Sequence, residues 1–157
     1  MMSSVSLAEL EGLYRSEYRR FLRVATAILR DEARAVDVVQ DGFASAIRRQ
    51  RQFRGEGPLE AWVWRMVVNA ALKERARPRH AALTDFEACT TEDEPTAVAE
   101  AIARLPERQR LALFLRYYAD LDYESIATAL QVSSGTVGAT LNAAHTSLRR
   151  LLQEVRP

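Results

Sequence analysis

Cysteine, glycine, proline and long apolar runs are all scarce in this chain of 157 residues. The single cysteine, Cys89, excludes an internal disulfide and suits a reducing cytosol. Only 6 glycines and 5 prolines are present, which excludes a collagen-like or wholly disordered chain. No apolar run approaches the roughly 20 residues of a membrane span, and the opening MMSSVSLAEL lacks the basic and apolar parts of a signal peptide. We therefore expect a cytoplasmic globular protein without membrane insertion.

Motifs for catalysis and metal binding are missing as well. His80 and His145 have neither a cysteine nor a carboxylate at metal-ligand spacing. The chain has no GxGxxG, no phosphate-binding loop ending in GK[ST], and no GxSxG. Its carboxylates are scattered over predicted helical faces, where solvated charges are the usual arrangement. We predict no enzymatic activity, no catalytic residue, no metal site and no cofactor.

The charged residues divide the chain into three blocks. Residues 1–77 carry a net charge of +4, residues 78–103 a net charge of −5, and residues 104–157 a net charge of +2. Residues 78–95 also lack a sustained apolar period, so we predict a flexible acidic linker there. The predicted domains are therefore 1–77 and 96–157.

Apolar residues outside the linker recur at steps of three or four, which is typical of amphipathic helices. Proline, glycine and capping residues mark the helix ends. Helices are predicted over 7–29, from about 31 to 47, from 58 to about 77, from 96 to about 104, from 106 onward, over 123–130, and from 133 to about 155. The predicted fold class is all-α: two small helical domains joined by a flexible acidic linker, the second a helix-turn-helix.

The apolar spacing also predicts which side chains face the core. In the second helix these are Val36, Val39, Phe43 and Ile47. In the third they are Leu59, Trp62, Val63, Met66, Val67 and Ala70. In the fifth they are Leu111, Phe114, Leu115 and Tyr118, and in the last Val137, Leu141, Ala144, Leu148 and Leu151. Trp64 lies two positions off the face of the third helix, so we predict that it is exposed.

The third helix and its entry have the composition of a nucleic-acid surface. Aromatic rings stack on unpaired bases, cations bind phosphates, and amides read base edges. Each residue also has an ordinary structural explanation, and Trp62 is better explained as a core residue. The candidate residues are Phe53, Arg54, Trp62, Trp64, Arg65, Asn69, Lys73, Arg75 and Arg77.

The last third of the chain has the caps, turn and apolar spacing of a helix-turn-helix. Asp122 is a good N-cap for the helix 123–130, Gln131 and Val132 form the turn, and Ser133 caps the final helix. That final helix would be the DNA-reading one, yet residues 134–148 contain no lysine or arginine. Because phosphate contacts normally supply much of the affinity for DNA, we predict that this module binds DNA weakly or not at all.

Taken in order, these segments resemble the extracytoplasmic-function (ECF) sigma factors of the sigma-70 family. The resemblance rests on LYRSEYRRFLRVATAILRDEARAVDVVQDGFASAIRR, FRGEGPLEAWVWRMVVNAALKERAR, LPERQRLALFLRYYADLDYESIATAL and SSGTV. It implies a bacterial transcription initiation factor whose partners are core RNA polymerase, at its largest-subunit clamp and its flap, and promoter DNA. It also implies that the acidic linker is a connector that passes through the polymerase RNA channel. A solvated tether is an equally good interpretation of this segment.

The resemblance implies roles for individual residues. Asp37, Gln40 and Asp41 fall where the family binds the polymerase clamp. The loop Arg54, Gly55, Glu56 and Gly57 falls where the family holds a flipped base of the minus-ten element. Asn69 and Lys73 match family positions for base and backbone contact. Trp64, Arg65 and Arg77, which are candidates from composition, complete the predicted minus-ten site.

For the minus-thirty-five element the chain departs from the family pattern. Gly138, Thr140, Ala143 and His145 stand at four positions that are usually basic. Weak contacts remain available to Ser134, Thr136, Thr140, Asn142, His145 and Arg149. An upstream recruiter or an anti-sigma factor is accordingly a further candidate partner.

Two other functions compete with a working sigma factor. A sigma mimic would bind an anti-sigma factor or polymerase without promoter activity. The absence of lysine and arginine from residues 134–148 favours that function, and the minus-ten residues disfavour it. A one-domain helix-turn-helix repressor leaves residues 1–77 unexplained.

Overall fold

The computed structural model describes residues 5–77 and 96–155. Within these residues the chain is all-α, as predicted, with no strand. The helices are α1 (Leu7–Leu29), α2 (Glu32–Arg48), α3 (Leu59–Ala76), α4 (Ala97–Ala103), α5 (Glu107–Leu113), α6 (Tyr123–Leu130) and α7 (Ser134–Val155). A 3-10 turn spans Gln50–Gln52, and a π-helical turn, Phe114–Tyr118, extends α5. The predicted linker 78–95, with His80 and Cys89, lies outside the described residues.

Side-chain caps fix the starts of several helices, and one of them is Ser133, which the sequence predicts as a cap. Ser6 and Glu9 form a reciprocal capping box at α1, and Asp31 accepts from the backbone N–H of Arg34 at α2. Thr96 caps α4 and Ser133 caps α7 in the same way. Each cap pairs a backbone N–H that the helix leaves without a partner, so these boundaries are set locally.

The helices α1, α2 and α3 pack around an aromatic centre. Phe21 stacks on Trp64 with ring centroids 4.0 Å apart and meets the edge of Phe43 at 5.0 Å. The α2 and α3 backbones approach closely at Gly42, where an added Cβ would lie 2.9 Å from Cα of Val67. The glycine therefore sets how near these two helices can lie.

The predicted inner face of α2 is partly wrong. Val39 and Phe43 are buried, but Val36 is half-buried and Ile47 is 42% exposed. Because α2 packs against both α1 and α3, its buried arc is broader and rotated from the single stripe that the spacing indicated. The buried residues are Ala35, Val38, Val39, Gly42, Phe43 and Ala46.

The predicted exposure of Trp64 is wrong. Its side chain is 0% exposed, whereas Trp62, Met66 and Ala70 are only half-buried. The helix α3 is covered by α1, α2 and α6, so it buries about half of its circumference and Trp64 lies near the middle of that half. The buried residues are Ala61, Val63, Trp64, Val67, Val68 and Ala71.

The helices α4 to α7 form the helix-turn-helix unit. Val137, Leu141, Ala144 and Leu151 are buried as predicted, while Leu148 is half-buried. In the fifth helix Leu111, Phe114 and Leu115 are buried, but Tyr118 is 37% exposed. The π-helical turn was not predicted; its end is marked by the bond from the Ala119 N–H to the Phe114 carbonyl.

The two helical units pack against each other. The helix α6 lies on α3, and the π-helical turn lies on α1. Buried apolar residues of both units consequently form one continuous cluster. In the part of the chain that the structure describes, no helix is both long and apolar enough to cross a membrane.

The Asp122 cap of α6 should make the stability of the fold depend on pH. Hydrogen bonds from the Ser125 side chain and then its backbone N–H hold the pKa of the Asp122 carboxyl below its ordinary range. A lowered pKa stabilises the fold above the unfolded pKa of about 4, and this stabilisation is lost as pH falls through the folded value. We expect Asp122→Ala to cost about 1 kcal/mol of unfolding free energy at pH 7, and less at pH 3, by urea denaturation. An equal cost at both pH values would contradict this assignment.

Candidate nucleic-acid interface

The acidic ridge of α2 consists of Asp37, Gln40 and Asp41, and all three side chains are exposed. Their spacing of three and four residues places them on one side of the helix, opposite the buried arc. Beside the ridge, α1 and α2 leave an apolar groove of about 350 Å³. Its lining includes Leu7, Tyr14, Gln40, Phe43 and Ile47. The ridge and groove together present negative charge and apolar area side by side at the surface.

The loop before α3, residues 53–58, is exposed at Arg54, Gly55, Glu56 and Gly57. Both glycines have positive φ, +74° at Gly55 and +100° at Gly57, and this conformation strains other residues. No heavy atom lies within 4 Å of a Cβ added at either glycine. At its base, Phe53 packs against Trp62 with ring centroids 5.3 Å apart. The loop is therefore anchored at one end and open to a ligand along its backbone.

A polar ridge on α3 continues from this loop. Arg65, Asn69 and Lys73 follow one another at four-residue steps and are all exposed, and Arg77 follows as the C-cap residue. Side chains at this spacing lie on one face of a helix. Trp64 is not part of this surface, because its ring is buried against Phe21 and its Nε1 donates to Glu60 at 3.3 Å.

The residues predicted to read DNA on α7 do not converge on one patch. At 100° per residue, Thr136 and Thr140 lie on one flank of the helix, and Asn142, His145 and Arg149 lie on the other. Ser134 lies beyond the second flank, near the buried face. Small uncharged residues occupy the middle of the exposed face, namely Gly135, Ala139 and Thr146. The neutral surface is therefore broad, and its hydrogen-bonding groups are at its edges.

Family models match both helical units of this chain. The model for sigma-70 region 2 matches residues 13–80, and the model for sigma-70 region 4 matches residues 96–153. The RNA polymerase sigma-H factor of Pseudomonas aeruginosa is 30% identical over an alignment of 156 positions, which covers 85% of this chain and 81% of that protein. The ECF RNA polymerase sigma factor SigM of Mycobacterium tuberculosis is 32% identical over 149 residues, covering 90% and 76%. The chain belongs to the ECF sigma factors of the sigma-70 family.

Two solved structures share the fold of this sigma factor. CnrH, in complex with the cytosolic domain of CnrY, aligns with a TM-score of 0.76 at 22% identity, covering 98% of this chain and 93% of CnrH. The sigma factor RpoE of Bartonella quintana, in complex with the anti-sigma factor NepR, aligns with a TM-score of 0.63 at 22% identity, covering 93% and 99%.

One contact that α7 makes in this sigma factor has no signal in the sequence. The hydroxyl of Tyr117 lies 2.8 Å from Nε2 of His145, and the two rings meet edge to face. Tyr117 is 61% exposed and belongs to the π-helical turn, whose presence no sequence signal indicated. One of the polar groups of α7 is thus paired within the protein.

Contacts between the two units of the sigma factor were also missed. With its amide oxygen turned toward Arg65, Gln131 accepts from Nε at 2.6 Å and from Nη2. Arg75 forms an ion pair with Glu107, and the Arg23 guanidinium lies 5.9 Å from the Tyr118 ring centroid. No pattern in the sequence relates these residues, because each pair joins helices far apart in the chain.

Proposed function

We propose that this sigma factor binds core RNA polymerase and directs initiation at promoters whose minus-ten element its first domain holds. The observation that carries the proposal is the exposed ridge of Arg65, Asn69 and Lys73 beside the positive-φ glycine loop. Two cations with an amide between them suit a DNA strand. The cations can bind two phosphates while the amide hydrogen-bonds the edge of a base between them. The loop lets a splayed base approach the main chain closely. Capturing unstacked bases offsets part of the cost of opening the duplex.

We propose that the acidic ridge of α2 and its groove bind the polymerase clamp. Carboxylates of Asp37 and Asp41 would pair with basic residues of a coiled coil, while Gln40 borders the apolar groove. Buried charge pairs flanked by apolar area give both orientation and affinity at protein interfaces. In this proposal the second domain, residues 96–157, contacts the polymerase flap.

We propose that the second domain reads the minus-thirty-five element weakly. Between residues 134 and 148 no side chain is lysine or arginine. Each phosphate contact that is lost makes the plot of log affinity against log salt concentration less steep by roughly 0.9. Arg149 and Arg150 remain exposed after this stretch, at the C-terminal half of α7. Promoter choice would then depend on the minus-ten element or on a recruiting partner.

The structural neighbours suggest a second kind of partner, an inhibitory anti-sigma factor. One neighbour is described in complex with the cytosolic domain of CnrY and the other with the anti-sigma factor NepR. The groove beside α2 is where we place a helix of such an inhibitor, in competition with the clamp.

The proposed function is tested by run-off transcription with the purified chain and core polymerase on fragmented genomic DNA. Mapped starts that share a minus-ten motif would support it. A further shared motif upstream would contradict the weak reading by α7. Stable binding to polymerase without transcripts, with or without cell extract, would instead favour a sigma mimic.

Restoring cations to α7 is expected to restore binding to duplex DNA. Ala139→Arg with Ala143→Arg places two cations on the exposed face, and arginine keeps helix propensity close to that of alanine. We expect the salt slope to steepen by about 1.8 for the double variant, at two phosphate contacts. Fluorescence anisotropy of the full chain on promoter duplexes measures it, with Ala139→Gln and Ala143→Gln as the uncharged control. A wild-type slope already as steep as that of the arginine variant would contradict the proposal.

A further inference from the structure

A side chain of α2 caps the C-terminal end of α3. In a regular helix the Glu74 carbonyl would accept from the backbone N–H four residues later, but position 78 is proline, which has no N–H. The carbonyl accepts instead from the backbone N–H of Arg77 at 3.2 Å and from Nη2 of Arg34 at 2.7 Å. Because Arg34 belongs to α2, the last turn of α3 is completed by another helix.

The Glu74 side chain extends this contact to the polar ridge of α3. One carboxylate oxygen, Oε1, accepts from Nε of Arg34 at 3.3 Å, and the other, Oε2, accepts from Nη1 of Arg77 at 3.4 Å. The carboxylate therefore lies between an arginine of α2 and the last cation of the ridge. Asp31 holds the far end of this chain of contacts, because its side chain caps α2 at the backbone N–H of Arg34.

Arg34 occupies a position where its own helix disfavours a cation. It lies in the first turn of α2, at the positive end of the helix dipole. Its side chain reaches the C-terminal end of α3, where the dipole favours a cation. The side chains of Arg34 and Glu74 are 21% and 27% exposed, so solvent screens this pair less than a surface ion pair. The end of α3 is therefore fixed to α2.

Arg77 is the member of the polar ridge whose direction the helix does not set. Asn69 and Lys73 lie within α3, whereas Arg77 is its C-cap residue and has extended backbone, with φ −70° and ψ 136°. Its side chain is 71% exposed, so core packing does not orient it. The contact with Glu74 directs this guanidinium toward α3.

We propose that Arg34 and Glu74 are positioning residues of the minus-ten surface, which act on DNA through Arg77 without touching DNA themselves. The inference rests on the proposed minus-ten function. Arg34 fixes the end of α3, and Glu74 holds the Arg77 guanidinium, so a phosphate meets a cation that is already oriented. The sign of the effect sets it apart from plain electrostatics. Charge alone predicts that removing an acid beside DNA strengthens binding, whereas removal of a positioning acid weakens it.

The test uses the full chain bound to core polymerase. DNA binding is measured by fluorescence anisotropy with a labelled single strand that carries the minus-ten motif of the mapped starts. A strand of scrambled sequence gives the background from polymerase itself. Circular dichroism verifies the fold of each variant, and titration with core polymerase verifies the complex.

Glu74→Gln separates the two arms of the contact. The amide oxygen can still accept from Nε of Arg34, and the backbone carbonyl keeps its bond to Nη2, but the charge that holds Arg77 is lost. We expect DNA binding about threefold weaker than in the wild type. The plot of log affinity against log salt concentration should become less steep by up to about 0.7, the value for one single-strand phosphate contact.

A double-mutant cycle with Arg77→Ala shows whether Glu74 acts through Arg77. Arg77→Ala alone should weaken DNA binding by about threefold or more, and Glu74→Gln should weaken it no further in that background. A contact that served only the stability of the fold would leave the DNA affinity of the folded complex unchanged in every background.

Arg34 is tested with a conservative variant and a matched control. We expect Arg34→Ala to weaken DNA binding by about fivefold, and Arg34→Lys, which keeps the charge but lacks the two-pronged donor, by less. The control is Arg116→Ala, because Arg116 is a half-buried arginine of the second domain whose Nη1 donates to the Leu121 carbonyl at 3.2 Å. It loses the same kind of contact and should bind DNA within about twofold of the wild type.

Three results would overturn the positioning role. The first is a Glu74→Gln variant that binds DNA as tightly as the wild type or more tightly. The second is an equal loss from Glu74→Gln with and without Arg77, and the third is an Arg34→Ala variant that binds DNA as well as Arg116→Ala does. If Arg34→Ala does not fold, Arg34→Lys and Glu74→Gln decide the question.

Two variants of the ridge separate this inference from the proposed function. If Asn69→Ala and Lys73→Ala both leave DNA binding unchanged, the minus-ten assignment itself fails. If they weaken binding while Glu74→Gln does not, only the positioning role fails.

Discussion

Replacing Trp64 by alanine will destabilise the first domain by about 3 to 5 kcal/mol, the range for a large aromatic residue truncated in a core. The ring is 0% exposed and stacks on Phe21, so its removal leaves a cavity beside Phe21 and Phe43 and forfeits an aromatic pair. A loss of this size is comparable to the whole stability of a small domain. Urea denaturation followed by circular dichroism measures it.

The matched control for Trp64 is Trp62, two residues earlier on α3. Trp62 is half-buried and packs on Phe53 at the base of the loop. We expect Trp62→Ala to cost about 1 to 2 kcal/mol, since much of its surface is already in water. A larger cost for Trp62 than for Trp64 would show that the sequence interpretation of α3 was right and the described packing wrong.

Reversing the acidic ridge of α2 will strongly weaken the proposed complex with polymerase. We expect Asp37→Lys with Asp41→Lys to weaken binding to core polymerase by about 100-fold or more, because in the proposed complex two attractive charges would become repulsive. Both side chains are exposed and outside the core, so the fold should persist. Titration of labelled chain with core polymerase measures the affinity, and circular dichroism verifies the fold.

The control for the ridge reversal makes the same charge change elsewhere. Glu124→Lys with Glu154→Lys alters two exposed acids of the second domain. This control should leave polymerase affinity within about twofold of the wild type at 0.15 M salt, where distant charges are screened. Equal losses in both double variants would mean that net charge, not the ridge, governs association.

Helix positions followed from the sequence because their causes are local. Apolar spacing and capping residues such as Asp122 and Ser133 fix where a helix begins whatever it packs against. The prediction of the α7 core succeeded for a related reason: that helix buries one narrow stripe, which includes Val137 and Leu141. The fold class and the helix-turn-helix were therefore within reach of the sequence.

The errors arose where a helix has more than one neighbour. A single stripe of spacing cannot describe α3, which three helices cover, and so Trp64 was assigned to solvent. The pairs Tyr117–His145 and Arg65–Gln131 depend on how separate segments come together, and the sequence contains no signal for that. The roles of the α2 ridge and the glycine loop came from the family resemblance rather than from residue chemistry alone.

The close contact at Gly42 fixes the distance between the two surfaces to which we assign polymerase and DNA binding. The acidic ridge lies on α2 and the polar ridge lies on α3, and the two backbones meet where Gly42 approaches Val67. Arg34 of α2 reinforces the pair by donating to the carbonyl of Glu74 at 2.7 Å. In the proposed complex, the point where polymerase grips the protein and the point where the strand is held move as one body. A side chain at position 42 that spread the helices without unfolding them would displace the transcription start relative to the minus-ten sequence.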